Sequence, residues 1–160
     1  MFHCAIGFLL ATWAPFILAG DLAKVISIHD GDTLTVLAGH RPVKIRLAEI
    51  DAPELGQPFG RASTDSLKAL CATQDAEVTP VTKDRWGRTV ARVTCRQTDA
   101  GTHQVRNGMA WVYDRFSTGS SPLYATQALA RDARRGLWAG PDPIPPWEWR
   151  MAQTARRREL

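Results

Sequence analysis

The sequence predicts an α+β protein built on a small β-barrel, namely a five-stranded Greek-key barrel of the OB type with about three helices. The chain has 160 residues, 44% of them hydrophobic and 22% charged, which is typical of one folded domain. Five segments have strand-like patterns, and helical segments follow the third and the fifth, as in an OB-type barrel. We expect residues 21–140 to form this domain and residues 141–160 to form a Pro- and Trp-rich, basic tail.

The N-terminal segment differs in composition from the rest of the chain, because residues 1–20 contain no Asp, Glu, Lys or Arg. We interpret it as a secretory signal peptide that ends near Ala19-Gly20. An uncleaved membrane anchor formed by residues 2–19 is one alternative, since such an apolar run nearly spans a bilayer, and a buried N-terminal helix is another. We therefore expect a secreted or periplasmic protein, attached to a membrane only if this segment is retained.

The first three strands are predicted to form a meander. Asp30-Gly31 is a strong two-residue hairpin signal between the first two strands, and a turn ending at Pro42 precedes the third. The alternation of polar and apolar residues places these strands at 24–29, 33–37 and 43–47.

The second half of the domain alternates helices with strands. The predicted ranges are a helix at 62–72, strands at 76–82 and 88–95, and helices at 102–109 and 121–136. Pro80 predicts a bulge or an edge in the fourth strand. Thr102 is the expected cap of the next helix, and Ser121-Pro122 is expected to open the last one.

The tail is predicted to be stiff at first and loose at its end. Four prolines between residues 141 and 146 favour an extended segment, which Trp147 and Trp149 could anchor to the domain. Residues 150–160 are basic and are expected to be loose.

The cysteines leave two interpretations open. Cys4 lies in the N-terminal segment, so Cys71 and Cys95 remain in the domain. They could form a disulfide in an exported protein or stay as buried free thiols, and their spacing fits no zinc motif.

Four acidic residues crowd two turns that the meander can bring together: Asp30 and Asp32, then Asp51 and Glu54. Clustered carboxylates repel one another unless a cation neutralises them. Their hard oxygens favour Ca²⁺ over Mg²⁺, and the absence of His and Cys from the cluster disfavours zinc. The alternative is that acidic residues are simply common in turns.

Two arginines support a functional interpretation of the acidic cluster. Arg46 lies in the middle of an apolar strand and needs a carboxylate or an anion, whereas Arg88 opens another strand. A local salt bridge for the first and an exposed strand end for the second are the structural alternatives. The formal net charge of +4 favours polyanionic partners.

Three segments carry a resemblance to a known family: DGDTLTV at 30–36, RLAEIDAPE at 46–54 and DRWGR at 84–88. They resemble the signatures of the thermonucleases of the staphylococcal nuclease type, and the similarity runs from about residue 24 to 138. The PWEWR motif of the tail also recurs in bacterial members.

The resemblance implies a metal-dependent endonuclease that hydrolyses phosphodiesters to 5′-hydroxyl and 3′-phosphate ends. It implies Asp32, Asp51 and the backbone carbonyl of Ala52 as ligands of one Ca²⁺, with Asp30 in the outer shell. It further implies three catalytic residues, with Glu54 assisting the attacking water and two arginines stabilising the phosphoryl charge, Arg46 and Arg88.

The expected substrate is DNA and/or RNA, bound with little sequence specificity. Arg85 and Trp86 could hold a phosphate and stack a base, and Tyr113 lies near the family's nucleotide-facing tyrosines. Core packing is the alternative for the two aromatic residues and for Trp111. The arginines at 156–158 are more consistent with a solvated tail than with nucleic-acid binding.

We expect a monomer with no stable protein partner. Two other functions remain as alternatives: a catalytically inactive OB-fold module that binds nucleic acid or protein, and a Ca²⁺-stabilised structural domain.

Overall fold

A computed structural model of the chain describes residues 21–113 and 121–158. The strands are β1 (Asp21–Ile28), β2 (Thr33–Ala38), β3 (Arg41–Leu47), β4 (Ile50–Asp51), β5 (Asp75–Lys83), β6 (Thr89–Cys95), β7 (Thr98–Asp99) and β8 (Trp111–Val112). The helices are α1 (Gly60–Cys71), α2 (Ala100–Arg106), α3 (Leu123–Asp132) and α4 (Pro146–Arg158), with a 3-10 turn at Gly136–Ala139.

Five of these strands close into a barrel, which confirms the predicted OB-type α+β fold. Strands β1, β2 and β3 form an antiparallel meander, and β5 pairs antiparallel with both β1 and β6. A parallel pairing of β3 with β6, from Ile45–Thr89 to Leu47–Ala91, closes the ring. The short strand β7 lies outside the ring, beside β6. Helices α1 and α2 follow the third and fifth barrel strands, as the sequence predicts.

The core lies inside the barrel and under α1. Alternate residues of each strand point inward because side chains in a strand have a period of two. The fully buried side chains of the core include Leu34, Val36, Ile45, Leu67, Val78 and Val93. Burial of each such side chain stabilises the fold by roughly 1.5–3 kcal/mol.

A disulfide joins the ends of α1 and β6. Cys71 and Cys95 are both fully buried, their Cα atoms are 5.4 Å apart and their sulfurs are bonded. Of the two interpretations that the sequence leaves open for these cysteines, the structure has the bridge. Cys4 and the rest of residues 1–20, interpreted as a signal peptide or an anchor, lie outside the described residues.

The structure corrects the expected cap of α2. The cap is Asp99, whose side chain accepts a hydrogen bond from the backbone nitrogen of Thr102 at 2.7 Å. The helix begins earlier than predicted because Asp is among the best N-cap residues. At the start of α3, the hydroxyl of Ser121 accepts from the backbone nitrogen of Leu123 at 3.3 Å, and the helix begins one residue after Pro122. Pro80 marks a register irregularity between β5 and β6, as predicted for a bulge.

The larger correction concerns the tail, which was expected to be loose after residue 149. Residues 146–158 form the helix α4, so the described parts of the chain contain four helices. Pro146 is compatible with a first helical position because its missing N–H needs no partner there. The Met, Ala, Gln and Arg residues that follow are good helix formers. Across 21–113 and 121–158, no helix combines the length and the apolar character that crossing a bilayer requires.

Candidate active site

A cleft of about 1080 Å³ brings together every residue for which the sequence predicts a functional role. Its walls come from the β1–β2 turn, β3, β4 and the loop after it, the β5–β6 turn, the residue after β8 and α4. The ten predicted residues that line it are Asp30, Asp32, Arg46, Asp51, Ala52, Glu54, Arg85, Trp86, Arg88 and Tyr113.

The β1–β2 turn is held tightly against α1. A Cβ atom on Gly31 would lie 1.8 Å from the Oγ of Ser63 and 2.8 Å from the Cβ of Ala52, so only glycine fits. The backbone carbonyl of Gly31 accepts a hydrogen bond from Nε2 of the fully buried Gln104 at 2.7 Å. The two aspartates that flank Gly31 are therefore fixed in position by interior contacts.

The side chain of Asp32 ties the two acidic turns together. Its Oδ2 accepts from the backbone nitrogen of Ala52 at 2.8 Å, and its Oδ1 accepts from the hydroxyl of Thr33. Burial raises the pKa of Asp32 above its usual value, against the opposing effect of the nearby Arg46 guanidinium. The carboxylate therefore requires a nearby cation in order to stay ionised.

Arg46 supplies one such cation and bridges the two buried aspartates. Its Nη1 donates to Asp32 Oδ1 at 2.6 Å, and its Nη2 donates to Asp51 Oδ1 at 2.9 Å. Burial lowers the pKa of Arg46, but Asp32 and Asp51 outweigh that effect and raise it. The local salt bridge proposed as the structural alternative for Arg46 is thus present, inside the cleft rather than away from it.

The structure adds a residue that sequence reasoning missed. Arg150 of α4 donates from Nη2 to Asp51 Oδ2 at 2.6 Å and from Nη1 to Glu54 Oε1 at 2.8 Å. Burial lowers the pKa of Arg150, but its bonds to these two carboxylates outweigh burial and raise it. The only sequence signal was the PWEWR motif, whose arginine had no assigned role.

Arg88 is positioned by a buried carboxylate. The Oδ2 of Asp84 accepts from Arg88 Nε at 2.6 Å, and its Oδ1 accepts from the backbone nitrogens of Trp86 and Arg88, both at 2.9 Å. Arg88 is therefore a partly exposed cation at the cleft, and the buried carboxylate of Asp84 fixes its side chain. The exposed strand end proposed as the alternative for this residue describes its position only in part.

The aromatic residues of the cleft differ in their packing. Trp86 is 64% exposed and lies against the guanidinium of Arg85, 4.1 Å from its ring centroid, so the core-packing alternative is wrong for it. Tyr113 stacks on Trp147 with 5.2 Å between centroids, and so contributes one aromatic wall of the cleft. Trp111 packs against Trp138 in a separate apolar cluster, as the core alternative expects.

The donor chemistry of the cleft fits a hard divalent cation such as Ca²⁺. Asp32 and Asp51 are almost completely buried, and none of the described residues that line the cleft is a His or a Cys. Both carboxylates are neutralised by arginines, and within the described ranges no group of three or more His, Cys, Asp or Glu side chains is spaced for a metal. Of the two arginines, Arg150 has the more exposed side chain, 43% against 11% for Arg46, so it is the cation that a metal would replace.

The arrangement defines a class of protein. Buried carboxylates, a half-exposed glutamate and several arginines share one cleft in an OB-type barrel. Guanidinium groups match phosphate oxygens bidentately, and a glutamate beside them can accept a proton from water. Fold and cleft together are those of a hydrolase that acts on phosphate esters.

Comparison with known proteins identifies the family. The family model described as "Staphylococcal nuclease homologue" matches residues 44–140. A protein of Escherichia coli named "Uncharacterized endonuclease" is 41% identical over 137 residues, covering 85% of this chain and 89% of that protein. A protein of Shigella flexneri named "Micrococcal nuclease" is 36% identical over 150 residues, covering 88% of this chain and 83% of that protein. The chain belongs to the staphylococcal nuclease family and is a phosphodiester hydrolase.

Proposed function

We propose that the protein is a Ca²⁺-dependent nuclease that hydrolyses phosphodiester bonds in DNA, with RNA as a second substrate, and with little sequence specificity. The observation that carries this proposal is the pair of buried aspartates bridged by Arg46, next to the half-exposed Glu54 in a cleft lined by arginines. The Shigella flexneri relative, named as a micrococcal nuclease, supports the same activity.

Asp32, Asp51 and the backbone carbonyl of Ala52 would hold the Ca²⁺, with Asp30 in the outer shell. All four residues line the cleft, and oxygen donors are the ligands that Ca²⁺ takes. When bound, the cation supplies Lewis-acid polarisation of the phosphoryl group.

The protein's own groups perform the other parts of the reaction. Arg46 and Arg88 bind the phosphate oxygens, and their contacts strengthen as negative charge grows on those oxygens. Glu54 holds the attacking water and accepts its proton, for which its half-exposed carboxylate has access to solvent. Attack at phosphorus breaks the bond to the 5′ oxygen, which takes up a proton from solvent, and leaves 5′-hydroxyl and 3′-phosphate ends.

Substrate binding is expected to depend on stacking and charge. The exposed ring of Trp86 can stack any base, because every base presents a π-face. Arg85 beside it can bind a neighbouring phosphate. Both interactions tolerate any sequence, and one chain contains the whole cleft, so we propose a monomeric enzyme of low specificity.

Cleavage of plasmid and single-stranded DNA by the purified protein in Ca²⁺, in Mg²⁺ and in chelator tests the proposal. We expect cleavage in Ca²⁺ that Glu54→Gln and Arg88→Ala each reduce about 10²–10³-fold. Glu77→Gln is the matched control, because Glu77 is exposed on β5 and does not line the cleft. Intact DNA in every condition, from a folded protein, would overturn the enzyme proposal in favour of a binding module.

We also propose that the protein is exported. The apolar residues 2–19 and the disulfide between Cys71 and Cys95 support this, since disulfides persist in oxidising compartments.

A further inference from the structure

Helix α4 contributes one whole face to the lining of the cleft. The residues that line it recur every three or four positions and so share one face of the helix. They are Trp147, Arg150, Met151, Thr154, Ala155 and Arg158. Arg156 and Arg157 belong to the same helix but do not line the cleft.

The first turn of α4 is anchored to the domain at the rim of the cleft. Trp147 stacks on Tyr113 and meets Trp111 edge-on, with 5.9 Å between the centroids of the two tryptophans. Just before the helix, the carbonyl of Ile144 accepts from Gln57 Nε2 at 2.7 Å. Since Gln57 lies in the same loop as Glu54 and accepts a hydrogen bond from the backbone nitrogen of Glu54 at 3.2 Å, the helix is held beside that loop.

The charge of α4 complements a polyanion. The helix carries four arginines and one glutamate, and two of the arginines line the cleft. Arg85 and Arg88, from the β5–β6 turn, line the same cleft, so a chain lying in it meets guanidinium groups from two separate parts of the fold. Arg150 and Arg158 are eight residues apart, which is about 12 Å along a helix, and several phosphates of one strand fit into that length.

We propose that α4 is a second binding wall for the nucleic-acid backbone, on which Arg150 and Arg158 each bind a substrate phosphate. This proposal rests on the proposed function and deepens it by naming substrate-binding residues that the predicted site lacks. Arg150 is the member of the pair at the reaction centre. Its guanidinium neutralises Asp51 and Glu54, and a cation held by Asp51 would take over that role and leave the guanidinium to bind phosphate.

Equilibrium binding of a fluorescein-labelled single-stranded oligonucleotide, measured by anisotropy in Ca²⁺ over a range of salt concentrations, tests the proposal. All variants of the full chain are made in the Arg88→Ala background, which slows cleavage. We expect Arg150→Ala and Arg158→Ala each to weaken binding about three- to tenfold. Each should also reduce the slope of log K against log[salt] by about 0.7, the value for one lost phosphate contact to a single strand.

Arg156→Ala is the matched control, because it removes the same charge from the same helix on a face away from the cleft. We expect it to leave the salt slope unchanged. Equal losses from Arg156→Ala and Arg158→Ala, or an unchanged slope in Arg150→Ala and Arg158→Ala, would overturn the proposal.

Two further measurements keep the test independent of folding and of nuclease activity. Arg150→Lys keeps the charge but loses the planar fork, so we expect it to keep the salt slope and bind more weakly than the parent. Calorimetric titration with Ca²⁺ should show tighter binding by Arg150→Ala, because a competing cation is gone. Salt-dependent binding to this wall without cleavage by the wild-type protein would overturn the nuclease proposal and support this one.

Discussion

At the scale of single residues, Asp84 links the stability of the protein to the position of a predicted catalytic arginine. Its side chain is 1% exposed and accepts bonds from Arg88 Nε and from two backbone nitrogens. Burial alone would raise the pKa of Asp84, but the bonds from Arg88 and Trp86 outweigh it and lower the pKa below its usual value of 3.8. Folding therefore favours the ionised carboxylate.

This predicts an acid-sensitive contribution to stability. A carboxyl with a lowered folded-state pKa stabilises the protein above the unfolded pKa, and the contribution is lost as pH falls through the folded pKa. We expect Asp84→Asn to lower the free energy of unfolding by about 1–3 kcal/mol at neutral pH. Urea unfolding of both proteins should show this difference begin to shrink below about pH 4, where the carboxyl of the unfolded chain becomes protonated, and disappear as pH falls through the lower folded-state pKa.

The matched control for Asp84→Asn is Asp142→Asn, since Asp142 is exposed in the segment before α4. We expect it to leave the free energy of unfolding nearly unchanged at every pH. A difference between wild type and Asp84→Asn that does not depend on pH would contradict the assigned role of the carboxylate.

The predictability of the site also differs from residue to residue. Asp32, Asp51 and Arg46 lie in short motifs on consecutive elements, so the meander alone predicts that they meet. Arg150 lies 99 residues from Asp51 and 96 from Glu54, and no local pattern indicates that contact. Its partners depend on the packing of Trp147 on Tyr113, which is tertiary information.

At the scale of elements, the strong polar–apolar periodicity of the strands predicts the barrel, whereas the sequence signals for the helix α4 are weak. Strands β1 to β3 alternate polar and apolar residues, and the inward face follows directly from that pattern. Helix α4 is mostly exposed, so no apolar stripe marks it, and its first residue, Pro146, ends a run of prolines that itself favours an extended segment. The sequence does not decide the cap of α2, because Asp99 and Thr102 are both acceptable cap residues and only the backbone distinguishes them.

The disulfide is the covalent connection between two of these elements. It joins the last residue of α1 to the last residue of β6, across a sequence separation of 24. Because a crosslink restricts the unfolded chain, a loop of that length contributes roughly 3.5 kcal/mol in the chain-entropy model. We expect Cys71→Ala with Cys95→Ala to lower the free energy of unfolding by about that amount, measured by urea denaturation.

The reduced wild-type protein provides the matched control for this double variant. The two proteins should have similar midpoints of denaturation, because both lack the crosslink. The cleft lies elsewhere on the barrel, so we expect the double variant to cleave DNA normally under conditions where it is folded. A midpoint that neither reduction nor the substitutions change would show that the bridge does not stabilise the fold.

At the scale of the whole molecule, the cleft depends on segments spread over most of the chain. The cleft brings together groups from the β1–β2 turn, from β3, from the β5–β6 turn and from α4. Only the closed barrel holds the first three together, and only the docked tail adds the fourth. Activity therefore depends on the stability of the fold. Both depend on whether the protein lies in a compartment where the disulfide can form.

Export of the chain is the prediction that belongs to this scale. The full sequence, produced in a bacterial host, is expected to appear in the periplasm with its N-terminus near Asp21 and its cysteines oxidised. The matched control lacks residues 1–20; it should remain in the reducing cytosol, carry free thiols and unfold at lower urea concentration. Cell fractionation, N-terminal sequencing and thiol titration measure these outcomes. An intact N-terminus in the membrane fraction would favour the anchor, whereas a cytosolic full-length protein would contradict both the signal peptide and the anchor.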